Sequence, residues 1–150
     1  MRTFIQYILF LLLVLIPVLI ITSCENEDDI EAIFYGKSWK ITGATINGTV
    51  LNGEKLSQLY VSDDAYTIYF NDGTFSAAFA PGSNAKGTWK ANGKKQTFSV
   101  NVTSQSGIEA SELSAQIFTI FRSATQYKGD VNILRILSDQ QNYIRLTAIK

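Results

Sequence analysis

The stretch Tyr66-Thr67-Ile68-Tyr69-Phe70-Asn71-Asp72-Gly73-Thr74-Phe75-Ser76-Ala77-Ala78-Phe79 decides the fold class. Tyr66, Ile68 and Phe70 alternate with Thr67 and Tyr69; Phe75, Ala77 and Phe79 alternate with Ser76 and Ala78. Alternation with a period of two gathers the apolar residues on one face of a strand. Asn71-Asp72-Gly73 lies between the two runs and supplies the residue types that accept the backbone angles of a tight turn. The segment predicts a β-hairpin with one buried face.

The same pattern continues on both sides. Upstream, residues 36–42 place Trp39 and Ile41 on one face of a first strand, and Asn47-Gly48 and Asn52-Gly53 are turn signals. Residues 54–60 form a short helical turn carrying Leu56, Leu59 and Tyr60. Downstream, residues 81–84 read as a loop, 87–91 as a strand and Asn92-Gly93 as a turn. Residues 96–103 form a strand with Phe98, Val100 and Val102 inward. After Gly107 the period changes. Leu113, Ile117, Ile120, Phe121 and Ala124 recur at helical spacing, which predicts an amphipathic helix over residues 111–127. Residues 116–121 are rich in β formers, so a strand competes there locally. Residues 131–137 are dense enough in apolar side chains for a strand buried on both faces. Residues 143–149 close the domain with Ile144, Leu146 and Ala148 on one face. The expectation is a mainly β fold, an antiparallel barrel or curved sheet of about eight strands with one helix near the C-terminus.

The chain has 150 residues, 13 basic and 13 acidic, no histidine and one cysteine, Cys24. Residues 5–21 are almost wholly apolar, after Arg2 and before Thr22-Ser23-Cys24. Such a run is long enough to span a bilayer, but Pro17 breaks a helix within it and two small residues precede the cysteine, as at a signal-peptide cleavage site. Residues 21–24 resemble a bacterial lipobox. That resemblance implies removal of residues 1–23 and lipidation of Cys24, where two or three acyl chains hold a protein stably at a membrane. Glu25-Asn26-Glu27-Asp28-Asp29 follows at once. It reads as a solvated linker over residues 24–33. Its acids Glu25, Glu27, Asp28 and Asp29 also resemble the export signal of Bacteroidetes-type lipoproteins, which implies the outer membrane and the cell surface. The 127 residues from Cys24 on suit one domain and not two, and the domain is placed at residues 34–150, after the linker. The lipoprotein form carries 12 basic and 13 acidic residues, with no basic excess to favour nucleic acid.

Gly36-Lys37-Ser38-Trp39 resembles the opening of lipocalin-like domains, and Asp72-Gly73-Thr74-Phe75 with Gly87-Thr88-Trp89 resembles segments of bacterial lipocalin-like lipoproteins of unknown function. The helix and final strands of residues 113–149 are similar to the end of META-type domains, although the cysteines usual there are missing. These resemblances imply a small barrel with a helix and no catalytic residues.

Chemistry-bearing patterns are sparse. Without histidine, zinc and transition-metal sites lose their preferred ligands, and neither Asp63-Asp64 nor Asp28-Asp29 has calcium-loop spacing. A Ser–Lys pair is conceivable but unspecified. Asp64, Asp72 and Glu112 cannot be paired as glycosidase carboxylates from sequence. No phosphate-binding glycine motif is present. The expectation is no catalytic residue, no metal and no cofactor. The aromatic residues read first as core and second as a ligand pocket lined by Trp39, Tyr69 and Trp89. The leading functional expectation is a non-enzymatic outer-membrane lipoprotein with a lipocalin-like domain, binding a small apolar or glycan-like ligand. The alternative is an envelope interaction or inhibitor module with a filled core, carried on a linker with a reach on the order of a few nanometres.

Overall fold

The structure, a computed structural model, describes residues 27–149. The leader, Cys24 and Glu25 lie outside the described residues.

Asp29 opens α1 (Ile30–Phe34); its carboxylate accepts the N–H of Ala32 at 3.0 Å, a helix N-cap. This helix was not expected, because its acidic start read as linker. A glycine turn at Gly36 leads into β1 (Lys37–Ile46). Asn47 and Gly48, both at positive φ, fold the chain back into the two-residue β2 (Thr49–Val50). A short α2 (Gly53–Ser57) and a 3-10 turn (Gln58–Tyr60) follow. The hairpin that decides the fold class forms as β3 (Thr67–Phe70) and β4 (Thr74–Ala78), with Ile68, Phe70, Phe75 and Ala77 all inward. Next come β5 (Asn84–Asn92) and β6 (Thr97–Ser106), paired along their whole length. A 3-10 turn (Ile108–Ala110) precedes α3 (Glu112–Arg122). Then β7 (Gln126–Gly129), β8 (Ile133–Leu137) and β9 (Tyr143–Ala148) complete the chain.

Every strand pair is antiparallel, in the order β2-β1-β3-β4-β5-β6-β7-β8-β9, and β9 pairs back onto β1. The result is a closed eight-stranded barrel, with β2 as an extra strand beside the second half of β1. One seam is thin. Between β6 and β7 the ladder has a single pair, Thr97 with Gln126, and α3 packs against β6, β8 and β9 beside it.

Two expectations are corrected. The helix ends at Arg122, not at Tyr127, and residues 126–129 are a strand. Ser111 caps the helix by accepting the N–H of Ser114 at 3.1 Å, and the apolar helical stripe ends at Phe121. Beyond it, Gln126-Tyr127-Lys128 alternates, and Tyr127 is inward and fully buried. The β-forming residues 116–121 are nonetheless helical, since their burial follows the 3.6-residue period. Second, the strand of residues 131–137 is not buried on both faces. Ile133 and Arg135 are exposed while Leu134 and Ile136 are buried, because the outer face of this wall meets solvent.

The ends of the barrel are closed by different pieces of chain. The lower end, where β1 starts, receives α1. Phe34 lies with its ring centroid 4.9 to 5.5 Å from those of Trp89, Phe70, Tyr127 and Phe98. The upper end receives α3. Phe121 lies 5.1 Å from Phe75 and 5.2 Å from Phe79, while Phe118 lies 5.2 Å from Phe79. Phe98 touches both groups, 6.3 Å from Phe121, so one aromatic cluster runs the length of the interior. The edge-to-face and tilted pairs add to the burial that these large rings contribute.

Candidate functional site

The three aromatic residues named as a candidate pocket do not meet. Trp39 is fully buried on β1, and Trp89 is 4% exposed on β5 inside the Phe34 cluster. The Trp89 indole N–H donates to the carbonyls of Asn71 at 2.9 Å and Thr74 at 3.0 Å, which fixes the turn between β3 and β4. Among the described residues the buried Trp39 indole N–H has no partner. Tyr69 is on the opposite face of the sheet, 41% exposed, at a surface cavity of 540 Å³ shared with Ser38, Ser76 and Ile149. The parity of the strands decides this: in β3, Ile68 and Phe70 take the inward positions that Tyr69 cannot.

The acids of the expected linker also have structural roles. Asp28 is docked on the barrel. Its N–H donates to the Gly93 carbonyl at 3.4 Å, and its carboxylate accepts from Gln96 Nε2 at 3.0 Å and from the Tyr127 hydroxyl at 2.8 Å. Burial, and then the neighbouring Asp28 carboxylate, raise the Tyr127 hydroxyl well above its ordinary value. Asp29 caps α1 and Glu27 is exposed. Asp28 thus belongs to the folded body, and Glu25, Asn26 and Glu27 stand between it and Cys24 in the sequence.

An open cleft of 440 Å³ lies at the upper end, between α3 and the two turns that follow β1 and β8. Its polar side chains include Asn47, Glu112, Gln116 and Asn142. Most are engaged locally. The Asn142 side-chain oxygen accepts the Asn47 N–H at 2.8 Å and its amide donates to Asp139, while Gln116 Nε2 donates to Glu112 at 3.1 Å. Thr119 and Ser123 hydroxyls donate to carbonyls one turn back in the helix. The carboxylates considered for glycoside chemistry are not gathered in it: Glu112 is at the cleft, Asp64 precedes β3 outside it, and Asp72 is in the turn at the other end of the barrel. Among the described residues no group of three or more acidic, cysteine or histidine side chains is placed to hold a metal ion.

A family model described as a domain of unknown function, DUF4847, matches residues 25–148. The chain belongs to the DUF4847 family. A solved structure has the same architecture, the crystal structure of a DUF4847 family protein from Bacteroides vulgatus ATCC 8482. It is 21% identical, with a TM-score of 0.60, and the match covers 79% of this chain and 96% of that one. At that identity the likeness speaks for the DUF4847 fold alone. No curated protein matches the chain. The family match begins at Glu25 and so includes Asp28 and α1, in agreement with their place in the folded body.

Proposed function

We propose that this DUF4847 domain is a lipid-anchored outer-membrane protein at the cell surface that works as a non-enzymatic envelope interaction or inhibitor module. The observation that supports an interaction module over a carrier is the filled interior. Phe34 from one end and Phe121 from the other both pack against Phe98, with ring centroids 5.5 and 6.3 Å away, in the interior where a ligand-carrying barrel keeps a cavity. Binding must then use the outer surface. A closed, cross-strand-bonded wall with both ends plugged presents such a surface rigidly, which lowers the entropy cost of docking. The anchor reading rests on the lipobox-like residues 21–24 and on the short stretch of sequence from Cys24 to the docked Asp28.

One observation keeps a second reading in view. The upper cleft carries amides and a carboxylate along an open trough, a composition suited to sugar hydroxyls, so a glycan-like ligand would sit there.

Two experiments test the proposal. The Cys24→Ala protein should keep its uncleaved leader, run larger than the parent and take up no palmitate label, its apolar leader holding it in the inner-membrane fraction; the parent's size together with outer-membrane retention would refute the anchor. A photo-crosslinker placed at exposed Tyr69 or Val61 should capture one defined envelope protein in living cells. Absence of any adduct from several exposed positions, together with a tightly bound small molecule, would refute the interaction module.

A further inference from the structure

The charges of this barrel are segregated. Among the described residues no aspartate or glutamate lies in the nine strands, which nevertheless hold seven lysines and arginines. The acids among the described residues sit in helices, turns and loops. Two of the strand cations are engaged by backbone: Lys37 Nζ donates to Val131, and Lys40 Nζ to Ser62 and Ala65. Three others form a row. Lys128 on β7 is directly opposite Arg135 on β8, and Arg135 is directly opposite Arg145 on β9, all three exposed. Like charges directly opposite on neighbouring strands are destabilising, so the row is a cost to the fold. Beyond Arg145 the next position is Gly43 on β1, which adds no side chain to cover the row. The Arg135 guanidinium lies 5.5 Å from the ring centroid of Tyr143, which holds it along the wall.

The place where the chain leaves the barrel points to what covers this row. Asp28 is tied to Tyr127, the residue before Lys128, and to Gly93 in the turn that carries exposed Lys94 and Lys95. Four residue steps from Cys24 span at most about 14 Å. A lipid on Cys24 therefore keeps the lower end of the barrel, and the Lys128 end of the row, at the bilayer surface. Asp130, the nearest acid along the chain, is turned back to accept the N–H groups of Asn132 and Ile133.

We propose that Lys128, Arg135 and Arg145 bind the anionic phosphate headgroups of the membrane that anchors the chain, and so lay the barrel wall of β7, β8 and β9 against the bilayer. The orientation rests on the lipid-anchor reading above; the binding itself does not. A basic patch beside an acyl anchor is a second membrane signal, and adjacent strands about 5 Å apart present successive cations to neighbouring headgroups.

The test uses the unlipidated chain from Glu25 to Lys150, which contains every described element, with vesicles of phosphatidylglycerol and phosphatidylcholine and with vesicles of phosphatidylcholine alone. The chain should sediment with the anionic vesicles only, and less so as salt rises. The Lys128→Gln, Arg135→Gln, Arg145→Gln protein should lose about a hundredfold in partitioning, from three basic groups near a charged surface. The Lys86→Gln, Lys90→Gln protein removes exposed cations from β5 instead and should bind as the parent does. Equal partitioning of parent and triple variant, or equal binding to neutral vesicles, would overturn the proposal. Because this chain carries no lipid, its result is independent of the Cys24→Ala experiment, and either reading can fail alone.

Discussion

The Tyr127 hydroxyl donates to Asp28 at 2.8 Å and thereby joins the segment ahead of α1 to the interior of β7. The bond links residues 99 positions apart and sets where the N-terminal segment meets the barrel. Tyr127→Phe should therefore lower stability by about 1.5 kcal/mol, the value of a hydrogen bond to a charged group. Its pH signature is specific. The hydroxyl is raised above its ordinary value by burial and by Asp28, so its contribution is complete below the ordinary tyrosine range near about pH 10 and is lost as pH rises above it. Denaturant unfolding followed from neutral to alkaline pH should show that loss in the parent and a flatter profile in Tyr127→Phe. Identical profiles would contradict the assignment.

The acid flank has other sources. Backbone N–H groups of Asn132 and Ile133 hold the Asp130 carboxyl below its ordinary value, and the Asn142 side chain, with the Gln141 N–H, does the same for Asp139. Both contributions are present above the ordinary carboxylate range and are lost as pH falls through the lowered values. Asp130→Asn and Asp139→Asn should each flatten the acid limb of the stability profile and leave the alkaline limb unchanged.

The two tryptophans make opposite demands. Trp89 has two acceptors for its indole N–H, while the buried Trp39 N–H has none among the described residues. Replacing either by phenylalanine removes similar volume, but only at Trp89 does it also break satisfied hydrogen bonds. Trp89→Phe should cost about 1 kcal/mol more than Trp39→Phe in urea unfolding. A larger loss at Trp39 would show that its indole N–H is partnered in solution.

The opposed cations should be measurable as strain. Arg145→Glu places an acid directly across from Arg135 and should raise stability by up to about 1 kcal/mol. The same change lowers the charge of the row by two units and should weaken binding to anionic vesicles by roughly thirtyfold. A stability gain without loss of vesicle binding would separate the row from the membrane.

Much of the architecture was legible because period two survives wherever one face is buried. Residues 66–79, 36–42 and 143–149 were read correctly for that reason, and the helix was placed by the spacing of Leu113, Ile117 and Phe121. What was missed has physical causes. The first helix was masked by its acids. Asp29 as N-cap, followed by Ile30, Ile33 and Phe34 at helical spacing, carried the signal, but the surrounding charge resembled a linker. The end of α3 was misplaced because Ala124 and Tyr127 prolong the apolar spacing, although closure of the barrel requires a strand there. The candidate pocket failed at Tyr69 on strand parity, which sequence already contained, and at Trp39 and Trp89 on whether the barrel is hollow, which it did not contain. The row of Lys128, Arg135 and Arg145 needed the register of three strands, and register depends on pairing that no local pattern specifies.

The interior of the barrel is packed with aromatic side chains. Phe34→Ala should cost about 3 to 5 kcal/mol and open an apolar void at the lower end of the barrel, because Phe34 contacts Phe70, Trp89, Phe98 and Tyr127. A void of that kind stays dry and takes up small apolar molecules such as benzene, which the parent should not.

The most direct measurement is native mass spectrometry of the protein purified from its own envelope extract. A filled barrel should give the mass of the chain with its anchor, free of any further small molecule, alone or in complex with another protein. An additional apolar molecule of defined mass that survives purification and is released only on unfolding would place a ligand inside the barrel and contradict it.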